Sequence, residues 1–259
     1  MTTHAQSLKA PNAFLLALEW RAPWEFSAAL AAFPLLRRAP RGDGHAVVVF
    51  PGLAASDVST LPLRAFLAER GYKPHGWQLR FNFGPREGVF ERSVERVQKL
   101  ARSTGRKVSL IGWSLGGVYA REIAKVASED VRCVITLGTP FTGNPRANNA
   151  WRIYDLASGH GLDDPDQLRR LRQAPPVPTT SVFSRSDGIV AWQCCVQAPR
   201  SLAESVEVNA SHIGMGVNPA AWYAIADRLA QREGRWEPFH RDGWRKWLFG
   251  DPYRAVGPD

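Results

Sequence analysis

With 259 residues, 44% of them hydrophobic and 22% charged, the chain is long enough for one well-packed core and too ordinary in composition for a disordered polymer. Its formal net charge of +9 is spread along the sequence rather than gathered in blocks. Scattered charge serves solubility, and with no zinc-finger spacing, ribonucleoprotein motif or basic heptad helix, nucleic acid is not an expected partner. The three cysteines, Cys133, Cys194 and Cys195, include an adjacent pair and suggest no disulfide framework.

The apolar run at 13–18 is short, Glu19 interrupts it, and no basic cluster precedes it, so it does not read as a secretion signal. Nothing approaches the roughly 18 apolar residues of a membrane-spanning helix, and a cytoplasmic location is expected. Residues 11–36 read as helical with a break at Pro23, forming with the turn that follows an N-terminal segment, 1–44. AVVVF at 46–50 is a β-branched run of the kind buried in a parallel sheet. A helix is predicted over 58–70, closed by Gly71, then a strand over 72–78 and a helix over 89–103. KVSLI at 107–111 is a second buried strand, followed by GWSLGG and a helix to about 127. VRCVITL at 131–137 is the next strand.

From 144 to 178 the rhythm fails, with Asn, Asp and Pro enriched and one helical patch at 167–173. A loop of that length in a compact domain is usually functional or disordered, and this one reads as a lid-like insertion. Short strands at 180–184 and 205–208 and a helix at 219–232 complete a single-domain core of 45–143 and 179–232, with a Trp- and Arg-rich tail at 233–259. Strands alternating with helices describe a mostly parallel, doubly wound α/β sheet.

Gly112-Trp113-Ser114-Leu115-Gly116 matches Gly-x-Ser-x-Gly between a buried strand and a helix. That context is what a nucleophile elbow needs: small residues two before and two after the serine let strand and helix approach. The competing reading, a glycine-flanked serine capping a helix, does not require it. A serine hydroxyl needs a base. Hydrolases built on such an elbow order their residues serine, acid, histidine, which leaves His160, His212 and His240 of the six histidines. His212 follows the last predicted strand, where a sheet delivers side chains to its carboxyl edge; His160 and His240 fall in the insertion and the tail. Asp187, in SRSDGIV after the preceding strand, is the matching acid, with an ordinary Asp-Gly turn as its alternative.

Through GWSLGG, LGTPFTG at 137–143, SRSDGIV and the His212 loop, residues 46–232 resemble the lipase and carboxylesterase branch of the α/β-hydrolase superfamily. The resemblance implies hydrolysis of short- to medium-chain carboxylic esters, with Ser114 as nucleophile, His212 as base and Asp187 as orienting acid. It also implies an oxyanion hole from the backbone N–H groups of Leu53 and Leu115, since Pro51-Gly52-Leu53 stands where such lipases read His-Gly-hydrophobic. Trp113 and Pro51 each replace a histidine of these lipases, and Ile213-Gly214-Met215-Gly216 lacks the carboxylate of their calcium site. No metal and no cofactor are therefore expected. Trp113, Phe141, Trp151, Ile153 and Tyr154 are candidate walls of an apolar substrate pocket, with plain core packing as the alternative. Acyl transfer to an alcohol would use the same triad, and a non-catalytic binding protein on this fold is a third reading. The tail, with Trp236, Trp244 and Trp247 among arginines, suits either weak association with a membrane surface or, preferably, packing against the domain.

Overall fold

A computed structural model describes residues 8–143, 147–149 and 165–254. Strands β1 (Ala46–Phe50), β2 (Lys73–Gly76), β3 (Val108–Trp113), β4 (Val131–Leu137), β5 (Thr179–Phe183) and β6 (Ala203–Glu207) form one sheet in the order β2-β1-β3-β4-β5-β6. Every neighbouring pair is parallel. Every residue of β1, β4, β5 and β6 is buried, because helices cover both faces; hence the unbroken β-branched runs in the sequence.

The period-two alternation of a strand divides the side chains between two cores. Val47, Val49 and Ile111 face a core closed by Ala29 of α2 (Ala22–Ala31), Leu36 of α3 (Phe33–Leu36), Phe66 of α4 (Leu61–Glu69) and Trp222 of a later helix, Pro219–Leu229. Ala46, Val48, Phe50 and Leu110 face the other, closed by Val97 of α5 (Val89–Thr104) and by Ala120 and Ile123 of α6 (Leu115–Val126).

Three elements are shorter than the sequence suggests, among them the helix expected over 219–232, which ends at Leu229. Helix α4 starts at Leu61 rather than 58, with Pro62 in its first turn, where a missing N–H costs nothing. Strand β2 stops at Gly76 because the Asp57 carboxylate takes the N–H groups of Trp77 (2.9 Å) and Gln78 (3.0 Å), removing them from the ladder. The C-terminal tail packs on the domain: Phe249 is buried in the first core and Gly250 bridges to Glu207 of β6, while Trp247 stays 81% exposed.

The sheet order reverses between β1 and β3. From β1 the chain moves outward to β2, then returns past β1 to β3 and continues through β6. Loops leaving the carboxyl ends of β1 and β3 therefore diverge, and a crevice opens between them, the place where open α/β sheets bind ligands.

Candidate active site

Ser114 stands in that crevice on a sharp turn, with φ 53° and ψ −121° between the end of β3 and the start of α6. A non-glycine residue in this region is strained and persists only where its surroundings hold it. Here the Ser114 N–H donates to Leu137 O (2.8 Å), while Ser114 O accepts from Gly117 N–H (3.0 Å) and Thr139 Oγ1 (2.9 Å). The flanking glycines are sterically required: a Cβ on Gly112 would lie 2.2 Å from Gly117 Cα, and one on Gly116 2.3 Å from Phe50 O.

Asp187 leaves the loop after β5 and His212 the loop after β6; both are buried. Asp187 Oδ1 accepts the N–H groups of Ile189 (2.9 Å) and Val190 (2.7 Å), and Oδ2 lies 2.6 Å from His212 Nδ1. A carboxylate can only accept, so Nδ1 carries the proton and Nε2 presents its lone pair. Burial alone would lower the His212 pKa, but the charge and hydrogen bond of Asp187, with the charge of Glu19, outweigh it and hold the imidazole above its ordinary value.

The elbow and this pair meet at the end of β4. Gly138, next to Leu137, has φ 56°, and a Cβ there would lie 3.0 Å from His212 Nδ1 and 3.2 Å from Asp187 Oδ2. The Trp113 indole N–H donates to His212 O (3.1 Å), tying the residue before Ser114 to the His212 loop. On the other side, a Cβ on Gly52 would lie 3.4 Å from Ser114 Cβ, so the loop after β1 runs against the serine. Among the described residues, neither Leu53 N–H nor Leu115 N–H has a protein acceptor. Leu115 N–H also sits at the positive end of α6. Asn82, fully buried, steadies the β1 loop by donating to Pro51 O (2.8 Å) and exchanging backbone hydrogen bonds with Ala54 and Ala55.

Ser114, Leu53 and Leu115 open onto a cavity of about 510 Å³, within the usual range for small-molecule sites. Its apolar walls include Phe90, Val118, Tyr119, Phe141 and Val190. Helix α7 (Pro165–Arg172), the described end of the insertion, adds Leu168 and Leu171. Phe141 is among the lining residues, with the Arg121 guanidinium 3.7 Å from its ring centroid. Trp113 does not line this cavity. Its ring packs on Gly216 and its N–H is spent on His212 O, so it braces the His212 loop instead. Trp151, Ile153 and Tyr154 lie outside the described residues. The sequence reading did not name Val118, Tyr119 or Glu122, although with Leu115 they recur at helical spacing on α6.

A second Ser–His–Asp chain lies at the opposite end of the sheet. Asp43 Oδ1 contacts His45 Nδ1 (2.5 Å) and His45 Nε2 contacts Ser109 Oγ (2.7 Å). Ser109 is 0% exposed, so that chain is closed to any substrate. Among the described residues no three His, Cys, Asp or Glu side chains gather as a metal site, and no helix is long and apolar enough to cross a membrane.

The parallel sheet order, the sharp turn at Ser114 between β3 and α6, and the loops after β5 and β6 that bring Asp187 and His212 together decide the architecture. The chain has the α/β-hydrolase fold. No protein-family model matches the sequence, and no curated protein does. Solved structures do match in shape. Aspergillus fumigatus lipase B is 18% identical with a TM-score of 0.58, covering 73% of this chain and 53% of its own; the chain thus spans about half that lipase's length. Bacillus licheniformis lipase BlEst2 is 15% identical with a TM-score of 0.56, covering 75% and 95%. A monoacylglycerol lipase of Paleococcus ferrophilus is 14% identical with a TM-score of 0.52, covering 74% and 96%.

Proposed function

We propose that this α/β-hydrolase cleaves carboxylic esters of short to medium acyl chain length, with Ser114 as nucleophile, His212 as general base and Asp187 as the orienting acid. The observation that carries the reading is Ser114, held on a strained turn that lines an apolar cavity, next in sequence to a tryptophan that binds the backbone of a buried histidine whose Nδ1 is already committed to a carboxylate. In this reading His212 Nε2 takes the hydroxyl proton as Ser114 Oγ attacks the ester carbonyl. The N–H groups of Leu53 and Leu115 hold the oxyanion, the protonated imidazole returns its proton to the departing alcohol, and water then repeats the sequence on the acyl-enzyme. The raised His212 pKa fits a group that must carry a proton transiently. The apolar walls would take the acyl chain, and the insertion at 144–178, which contains α7, would act as a lid, because Leu168 and Leu171 border the cavity. The lipases among the structural neighbours support the same chemistry.

A fluorophosphonate probe and p-nitrophenyl esters of graded chain length test this. Labelling should fall on Ser114, and Ser114→Ala should lose both labelling and ester hydrolysis while remaining folded. A folded Ser114→Ala that still hydrolyses these esters at the wild-type rate would overturn the assignment.

A further inference from the structure

The N-terminal segment delivers a carboxylate to the back of the site. Glu19, in the short 3-10 turn Leu18–Arg21, is 6% exposed, whereas its neighbour Trp20 is 86% exposed. Glu19 Oε1 accepts the N–H groups of Gly188 (2.7 Å) and His212 (2.9 Å), and Oε2 accepts that of Ile213 (2.8 Å). Gly188 follows Asp187, so one side chain joins the acid loop to the base loop. No ion pair engages Glu19 among the described residues. Its charge is met by backbone N–H dipoles, a strong form of hydrogen bond when the acceptor is ionised.

The contacts around Glu19 serve the same two loops. Arg21 Nη2 donates to Ser186 Oγ (2.6 Å), and Glu25 Oε1 accepts from Ser211 N–H (2.7 Å) and from Arg21 Nε (2.9 Å). A Cβ on Gly188 would lie 2.2 Å from Leu15 O, so α1 (Ala13–Ala17) rests directly on the acid loop. Residues on either side of Asp187 and of His212 are thus gripped by one N-terminal segment.

We propose that Glu19 is a positioning residue for the hydrolysis. It holds the backbones of the Asp187 and His212 loops at the spacing their hydrogen bond needs, and it sets a second negative charge beside the imidazole that must become imidazolium during attack. The inference rests on the function proposed above.

The charged and titratable groups around the imidazole agree with this assignment. Asp187 and Glu19 act on it directly, both raising its proton affinity against the effect of burial. Glu25 and Arg21 lie behind Ser211 and Ser186 and neutralise each other as an ion pair. Cys195, near Asp187, is held as the neutral thiol by burial first and by the Asp187 charge second. Ser114 and Ser211 carry no charge. Removing the Glu19 charge therefore lowers the proton affinity of His212.

The test uses the full chain with Glu19→Gln and Glu19→Asp, reading kcat and KM for p-nitrophenyl butyrate against pH, the NMR titration of the His212 ring, and the melting temperature. Glu19→Gln should lower kcat by on the order of 100-fold, the cost of a small misplacement of reacting groups, with little change in KM and with the acid limb moved to lower pH. Glu19→Asp keeps the charge but shortens the reach, so kcat should fall while the acid limb stays in place. A folded Glu19→Gln with wild-type kcat and an unmoved acid limb overturns the proposal. So does a loss of kcat with no shift in the His212 titration, which would mark Glu19 as a strap only. Should Glu19→Gln fail to fold, Glu19→Asp decides: a wild-type kcat overturns the proposal and a reduced kcat at an unchanged acid limb supports it. Should the wild type neither hydrolyse esters nor label at Ser114, the proposed function fails by itself. The His212 titration then still judges the Glu19 charge, a downward shift in Glu19→Gln supporting it and no shift overturning it.

Discussion

Asp187→Asn probes the His212 tautomer, and the geometry gives its size. Oδ1 of Asp187 already receives two N–H donors, from Ile189 and Val190, so an asparagine must keep its carbonyl there. The amide NH2 then occupies the Oδ2 position, 2.6 Å from His212 Nδ1. An NH2 group can only donate in that direction, so Nδ1 must become the acceptor and the ring proton moves to Nε2, the atom that removes the Ser114 proton in the proposed mechanism. Loss of the correct tautomer in a triad of this type costs about 10⁴ in kcat, or about 5.5 kcal/mol of transition-state stabilisation. The same change removes the leading influence that raises the His212 pKa, leaving the Glu19 charge alone to oppose the lowering by burial. Wild-type activity should be lost as pH falls through the raised value, and the residual activity of the variant should persist to lower pH. Stability follows the same linkage: a folded-state pKa above the ordinary histidine value of about 6.5 contributes stability that is complete below that value and lost as pH rises through the folded value. The melting temperature of the wild type, but not of Asp187→Asn, should decline across that window. The assay is kcat for p-nitrophenyl butyrate against pH, with circular dichroism to establish folding. A folded Asp187→Asn within tenfold of wild-type kcat would refute the reasoning.

Three further outcomes are expected. Val118→Trp fills the cavity one turn beyond the elbow, and kcat/KM for an octanoate ester should fall relative to acetate by about 1–3 kcal/mol for each methylene contact displaced; equal changes for both would place the acyl chain elsewhere. Phe249→Ala removes a fully buried ring that stacks edge-on to Phe239 at 4.7 Å, and denaturant unfolding should show a loss of about 3–5 kcal/mol, whereas a loss below about 1 kcal/mol would detach the tail from the core. A strong chelator should leave activity and melting temperature unchanged, since no metal-ligand cluster exists among the described residues; a loss that calcium restores would contradict this.

The sheet was legible in the sequence because its residues are buried on both faces, and burial of that kind writes itself as continuous β-branched runs such as AVVVF and VRCVITL. The elbow was legible because its demand is local: Gly112, Gly116 and the turn at Ser114 are fixed by contacts among β3, α6 and the end of β1 that only glycine permits. Asp187 and His212 could be named from chain order, and the tertiary structure supplies the 2.6 Å contact between them. Other roles were invisible. Trp113 reads as a pocket wall, yet its indole finds an acceptor 99 residues away and its ring packs on Gly216. Strand β2 ends early because of a carboxylate 20 residues before it. Glu19 reads as a mere interruption of an apolar run, but folding brings three orphan N–H groups from two distant loops around it. Apolar periodicity and glycine sterics act over a few residues and leave a trace in sequence. A buried polar group is satisfied by whatever partner the fold places within 3 Å, and only the folded chain says which partner that is.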